Sequence, residues 1–189
     1  MNRIERIFVR AKHWQIFLLI VAVLAIGEFP VIGNFTAAVN PQEGYAGVFV
    51  VTEVATAVAA CCFLVWLWSL GAFLNSIVPI AIRPGNRFFS FAVIYSALYI
   101  PVSMAIFQSI NPKLFVATVP LSLLAVFCMF YNLYFVARNL VIAETGRSVS
   151  FSNYAGPFFL LWFFLIGVWF IQPRVNRLYA DKRSTQATM

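Results

Sequence analysis

The chain is five long apolar stretches separated by short clusters of arginine, lysine, proline and glycine. The stretches run from about Trp14 to Ile32, Tyr45 to Ile82, Phe88 to Phe107, Leu114 to Ala143 and Pro157 to Ile171. Runs this long and this poor in charge need lipid as their solvent, because a helix crosses the ~30 Å hydrocarbon slab with about 20 apolar residues. The composition agrees. Of 189 residues, 62% are hydrophobic and only 10% charged, whereas soluble domains carry about 25% charged residues. A soluble enzyme, a secreted disulfide scaffold and a disordered chain are excluded. The expected fold class is all-α, a polytopic helical membrane bundle.

The breaks between stretches follow from local chemistry. Arg83-Pro84-Gly85-Asn86-Arg87 is a turn, because proline and glycine interrupt the helix and two guanidinium groups resist the hydrocarbon. Asn111-Pro112-Lys113 is the next. Gly146 suits a helix stop. Glu144 to Asn153 is polar. The second stretch is too long for one straight span and is expected to continue past the bilayer, with Asn75, Ser76 and Pro79 near its end. Residues 1–179 read as one integral membrane domain and 180–189 as a mobile polar tail. Arg3, Arg6, Arg10 and Lys12 before Trp14 read as the basic flank of a retained signal-anchor helix.

The placement of charge gives a topology. Thirteen Lys and Arg against six Asp and Glu leave a net charge of +7. These charges punctuate apolar runs, so retention on the cytoplasmic side and contact with anionic lipid explain them, and nucleic acid is not an expected partner. If all five stretches cross, Lys113, Arg174, Arg177, Lys182 and Arg183 lie opposite the remaining basic residues, a weak asymmetry. If the fifth stretch enters and returns, every Lys and Arg except Lys113 falls on one side. The charges therefore favour four spans, cytoplasmic termini and a re-entrant or short fifth helix, with Gly167 allowing its bend; five full spans is the alternative.

Glu53 is the sharpest chemical signal. It lies about eight residues into the second stretch, roughly 10 Å below the outer surface at helical rise, where a carboxylate is costly. Pro101 and Pro120 fall at a similar depth, and each leaves a carbonyl four residues earlier, at Ala97 and Val116, without its usual donor. Ser96, Tyr99 and Ser103 form a mildly polar stripe on the third stretch. Glu53, Tyr99 and Ser103 are thus the candidates for a proton- or cation-responsive site, against the simpler reading of a glutamic acid tying helices together. Ala57 and Ala60 or Cys61, one and two turns on from Glu53, are small enough for another helix to approach that face. Glu28, beside Phe29-Pro30, reads as interfacial. Asn132 is expected to hydrogen-bond across helices, Arg138 to snorkel, and Glu144 to pair with Arg147 or Arg174.

No catalytic set is expected. Ser148, Ser150 and Ser152 have no histidine near in sequence, and His13 is the single histidine. Cys61, Cys62 and Cys128 read as small packing residues, since a disulfide between sequence neighbours is strained. No metal-ligand spacing or phosphate-binding glycine motif occurs, so no metal or cofactor is expected.

The segment Phe127 to Leu140 and the segment Trp162 to Asn176, with its Gln172-Pro173-Arg174-Val175-Asn176 ending, resemble an uncharacterised family of small bacterial multi-pass membrane proteins. The resemblance covers about the last third of the chain and implies a bacterial origin, hence the inner membrane, without implying an activity. Physically that ending reads as a membrane exit, in which proline stops the helix and Gln, Arg and Asn occupy the headgroup layer. The expected role is a non-enzymatic interaction or assembly protein whose partners are membrane lipids, another membrane protein or further copies of itself. A transporter or channel subunit using Glu53 is the alternative, and a membrane-embedded lipid enzyme a distant third.

Overall fold

A computed structural model describes the backbone of residues 3–36, 41–108 and 112–187, and the side chains of residues 7–25, 50–106 and 116–184. All regular structure among these residues is helical: α1 (Arg3–Arg10), α2 (His13–Thr36), α3 (Pro41–Ile77), a 3₁₀ turn (Ile80–Ile82), α4 (Arg87–Gln108), α5 (Pro112–Thr145), α6 (Phe151–Trp162) and α7 (Phe164–Ala187). Among the described residues three helices are long and apolar enough to cross a membrane, over Val50–Ile77, Arg87–Ile106 and Val116–Thr145, and a shorter apolar helix covers His13–Ala25. α2 continues as helix through Glu28 and Pro30 to Thr36; the side chain of Glu28 lies outside the described residues.

The ends of these helices are set by identifiable groups. Between α1 and α2 the chain breaks at Ala11-Lys12, and the Gln15 side chain reaches back to accept the Lys12 backbone N–H at 2.8 Å, half of a capping box. After α3, Arg83 folds back to donate two hydrogen bonds to the Val78 carbonyl, at 2.9 and 3.2 Å. α5 ends where Gly146 takes φ +67°, a left-handed conformation that favours glycine, and its N–H caps the Ile142 carbonyl at 2.8 Å. The helix stop expected there is present.

α3 is the centre of the bundle and packs against α1, α2, α4, α5 and α7. Trp66, Leu70 and Phe73, at helical spacing, are buried in the core. Gly71 lets the fully buried Phe89 of α4 lie against the α3 backbone, since a Cβ there would strike the Phe89 ring. Phe89 is stacked between Trp68 and Phe135, at centroid distances of 5.8 and 4.3 Å. The outward faces of α4 and α5 carry exposed Leu98, Leu123 and Phe127, as lipid-facing helices do.

The fifth apolar stretch is broken rather than straight. α6 runs antiparallel to α5, with Tyr154 beside Tyr134 and Trp162 beside Phe130. At Phe163 (φ −85°, ψ 61°) the chain reverses. α7 then runs parallel to α3: Phe164 packs on Phe63 and Trp66, Tyr179 on Phe73, and Lys182 reaches Ser76. The reversal keeps its backbone bonds, since the Phe163 N–H donates to the Phe159 carbonyl and the Gly167 N–H to the Phe163 carbonyl. Gly167 lies directly on the Leu160 carbonyl oxygen, which a Cβ would overlap. The twelve residues of α6 measure about 18 Å, short of the ~30 Å hydrocarbon slab.

One sequence expectation needs correction here. Pro173 does not end a helix: α7 continues through it to Ala187, so residues 180–187, read as a tail, are helical. Gln172 is fully buried within the protein. The expected pairing of Glu144 is present, with Arg174 as its bidentate partner (Nε to Oε1, 2.7 Å).

The Gly167 contact gives a direct test. Gly167→Ala is expected to destabilise the fold by about 1–3 kcal/mol through overpacking, read as a lower unfolding temperature in detergent. Gly156→Ala, on α6 with open space where its Cβ would go, should be neutral or slightly stabilising because alanine favours helix. Equal behaviour of the two variants would contradict the tight reversal.

Candidate functional site

Two features bear on function: a buried hydrogen-bond junction at Gln172, and an apolar cavity, open to the surroundings, at the tip of the α6–α7 hairpin.

The last carbonyls of α1 have no donor within their own helix. The Gln172 side chain supplies one. Its Nε2 faces the carbonyls of Phe8 (3.0 Å), Ala11 (3.1 Å) and Val9 (3.3 Å) and Asn176 Oδ1 (3.2 Å), sharing two amide protons among four acceptors. Its Oε1 accepts from the indole N–H of the buried Trp66 at 3.0 Å, and Asn176 Nδ2 also donates to the Ala11 carbonyl at 3.3 Å. One amide thereby joins α1, α3 and α7. His13 and Phe17 close the junction from α2 by packing on Trp169, at 4.6 and 5.7 Å. The sequence reading missed this role because a glutamine beside Pro-Arg looks interfacial; the solitary buried tryptophan N–H is the only signal that a partner was needed.

The cavity, of about 360 Å³, is walled by Ile20 and Leu24 of α2, Ala60 and Phe63 of α3, Met129 of α5 and Trp162 at the hairpin tip. Thr56 also lines it. Ala60 is one of the small residues expected to admit a neighbouring helix; here its lack of bulk leaves open space instead.

Glu53 stands on α3, partly buried, one turn before Thr56. Tyr99 and Ser103 lie on α4. The Tyr99 hydroxyl shares a short hydrogen bond with Ser122 of α5, and Tyr95 donates to the Leu121 carbonyl at 3.1 Å. Ser103 and Ser96 donate to their own helix, at the carbonyls of Ile100 (2.7 Å) and Ala92 (2.8 Å). The polar stripe on α4 thus serves the α4–α5 seam and its own helix. Asn132 departs from expectation: its amide is fully buried and, among the described residues, makes no hydrogen bond across helices, and Asn139, two turns on, is alike. Nothing in the structure explains either. Arg138 is partly buried and donates to the Tyr134 hydroxyl at 3.3 Å. Among the described residues no group of three or more His, Cys, Asp or Glu side chains is placed to hold a metal ion.

Comparison with protein-family models, with curated proteins and with solved structures gave no match.

Replacing Gln172 by leucine leaves the Trp66 N–H and the α1 carbonyls without their partner. Each buried group so orphaned is expected to cost about 1–3 kcal/mol, and trypsin should cut faster at Arg10 and Lys12 as α1 detaches. Gln172→Glu keeps an acceptor for Trp66 but loses the donor to α1, so it should release α1 as readily as the leucine variant. Unchanged cleavage in both variants would show that the junction does not hold α1.

Proposed function

We propose that the chain is a non-enzymatic component of the bacterial inner membrane that binds other membrane components, with the hairpin-tip cavity receiving one hydrocarbon chain of a lipid. The observation that carries this reading is the cavity itself. Its volume of about 360 Å³ falls in the range of ligand sites. Its walls are almost wholly apolar, and acyl chains are the surrounding solvent. The reversal at Phe163 favours a layout of four spans plus a re-entrant α6–α7 hairpin, because α6 and α7 run beside α5 and α3 in opposite directions. In that layout Arg83, Arg147, Arg174, Arg177 and Lys182 share one side, in keeping with the positive-inside rule.

A photoactivatable diazirine on the acyl chain of a phosphatidylcholine tests the cavity. Crosslinks at Phe63 and Met129 are expected in the wild-type chain and should be lost in Ala60→Phe, which fills the space. Crosslinks confined to outward residues such as Leu98 and Leu123 would overturn the reading. The layout is tested separately by single cysteines at Ser148 and Ala187 in a cysteine-free background: an impermeant maleimide should label both from the same face.

A transporter or channel subunit is the second reading. It is favoured by Glu53 standing one turn from Thr56, which lines the cavity. It requires proton or cation flux in proteoliposomes that Glu53→Gln abolishes; a chain that passes neither ends it.

A further inference from the structure

The junction of α1, α2 and α7 exposes a second, chemically different cleft. Its lining includes Arg10 and Lys12 from the α1–α2 elbow and Asn176, Tyr179, Arg183 and Ser184 from α7. Its volume is about 590 Å³. Three cations converge on it and its lining contains no carboxylate. Glu144, on α5, is paired with Arg174 rather than with a cation of this cleft. Asn176 and Tyr179 are held from behind, by the Ala11 carbonyl and the Phe73 ring, so the α7 wall is fixed against the elbow.

A neighbouring groove of about 390 Å³ lies on the other flank of the same elbow, lined by Ile7, Phe8, Ile16 and Leu19 together with Gln15 and Arg10. Arg10 therefore borders both spaces. The first space gathers Lys12 and Arg183 beside it; the second gathers apolar side chains, of which Ile7 and Leu19 are exposed at 61% and 43%. A free anion has use only for the first. An amphiphile with a phosphate head and a hydrocarbon tail uses both. A guanidinium binds phosphate oxygens bidentately, and basic residues at the membrane surface attract anionic lipid.

We infer that Arg10, Lys12 and Arg183 form a binding site for the phosphate headgroup of an anionic phospholipid, whose acyl chain lies in the Ile7–Ile16–Leu19 groove. The site is separate from the hairpin-tip cavity and shares with the preceding proposal only the membrane setting. Ala60→Phe, which fills that cavity, leaves this site intact, so failure of one is distinguishable from failure of the other.

The test uses the full chain in a neutral detergent, titrated with phosphatidylglycerol, phosphatidylcholine or inorganic phosphate, and follows the unfolding temperature. Phosphatidylglycerol is expected to protect at lower concentration than phosphatidylcholine. The double variant Arg10→Gln, Arg183→Gln should weaken that protection about tenfold or more. Lys12→Gln, a milder change, should weaken it in the same direction. Arg147→Gln, Arg177→Gln removes equal charge from exposed positions outside the cleft and should leave protection as in the wild type. Leu19→Trp, which obstructs the groove, should weaken phosphatidylglycerol without altering the unfolding temperature of the lipid-free chain. Three results would overturn the assignment: equal protection by inorganic phosphate, equal losses in the two double variants, or equal protection by the two lipids.

Discussion

A backbone that ends or turns inside an apolar medium must find partners for its polar groups, and the architecture of this chain follows from how it does so. The sharpest instance is the Gln172 amide. It serves carbonyls at the end of α1 and the indole N–H of Trp66, groups separated from it by up to 164 positions in sequence. Without that amide the short helix α1 would end in unpaired carbonyls against the bundle, and the central helix would bury an unpaired indole. With it, the N-terminal elbow, the core helix and the returning arm of the hairpin become one packed unit.

The hairpin obeys the same constraint by different means. Phe163 breaks the helix, yet its N–H and carbonyl stay bonded to the turns on either side. Gly167 allows the two arms to meet backbone to backbone. The tip is covered by Phe63 and Trp66 of α3 on one side and by Phe130 of α5 on the other. Because large rings cover the tip while Ala60 stands opposite it, the packing closes over the polar backbone but leaves an apolar gap beside it. Cavity and reversal are thus two results of one arrangement.

Much of this was legible from local chemistry. The Arg83–Arg87 turn, the Gly146 stop, the bend near Gly167 and the pairing of Glu144 each depend on residues whose behaviour is set by their immediate neighbours or by charge. What sequence could not reveal depends on distant partners. Gln172 reads as interfacial because Pro173 and Arg174 follow it, and nothing local indicates that Trp66 and the α1 carbonyls converge on it. Pro173 reads as a stop because proline usually is one; α7 tolerates it while packed against α1, α2 and α3. Residues before Trp14 read as a charged flank, and the separate helix they form is held by groups near the other end of the chain. Asn132 shows the opposite failure, since the residue type invites a bond that is not made among the described residues.

The Gln172 junction also has a direction in time. Every partner it joins outside α7, from Phe8 to Trp66, precedes it in the chain. Synthesis runs from the N-terminus, so those groups have already left the ribosome when Gln172 emerges. The order of synthesis is therefore vectorial: the helices that Gln172 joins are made before it. A nascent chain halted before Gln172 would hold α1 without its clasp.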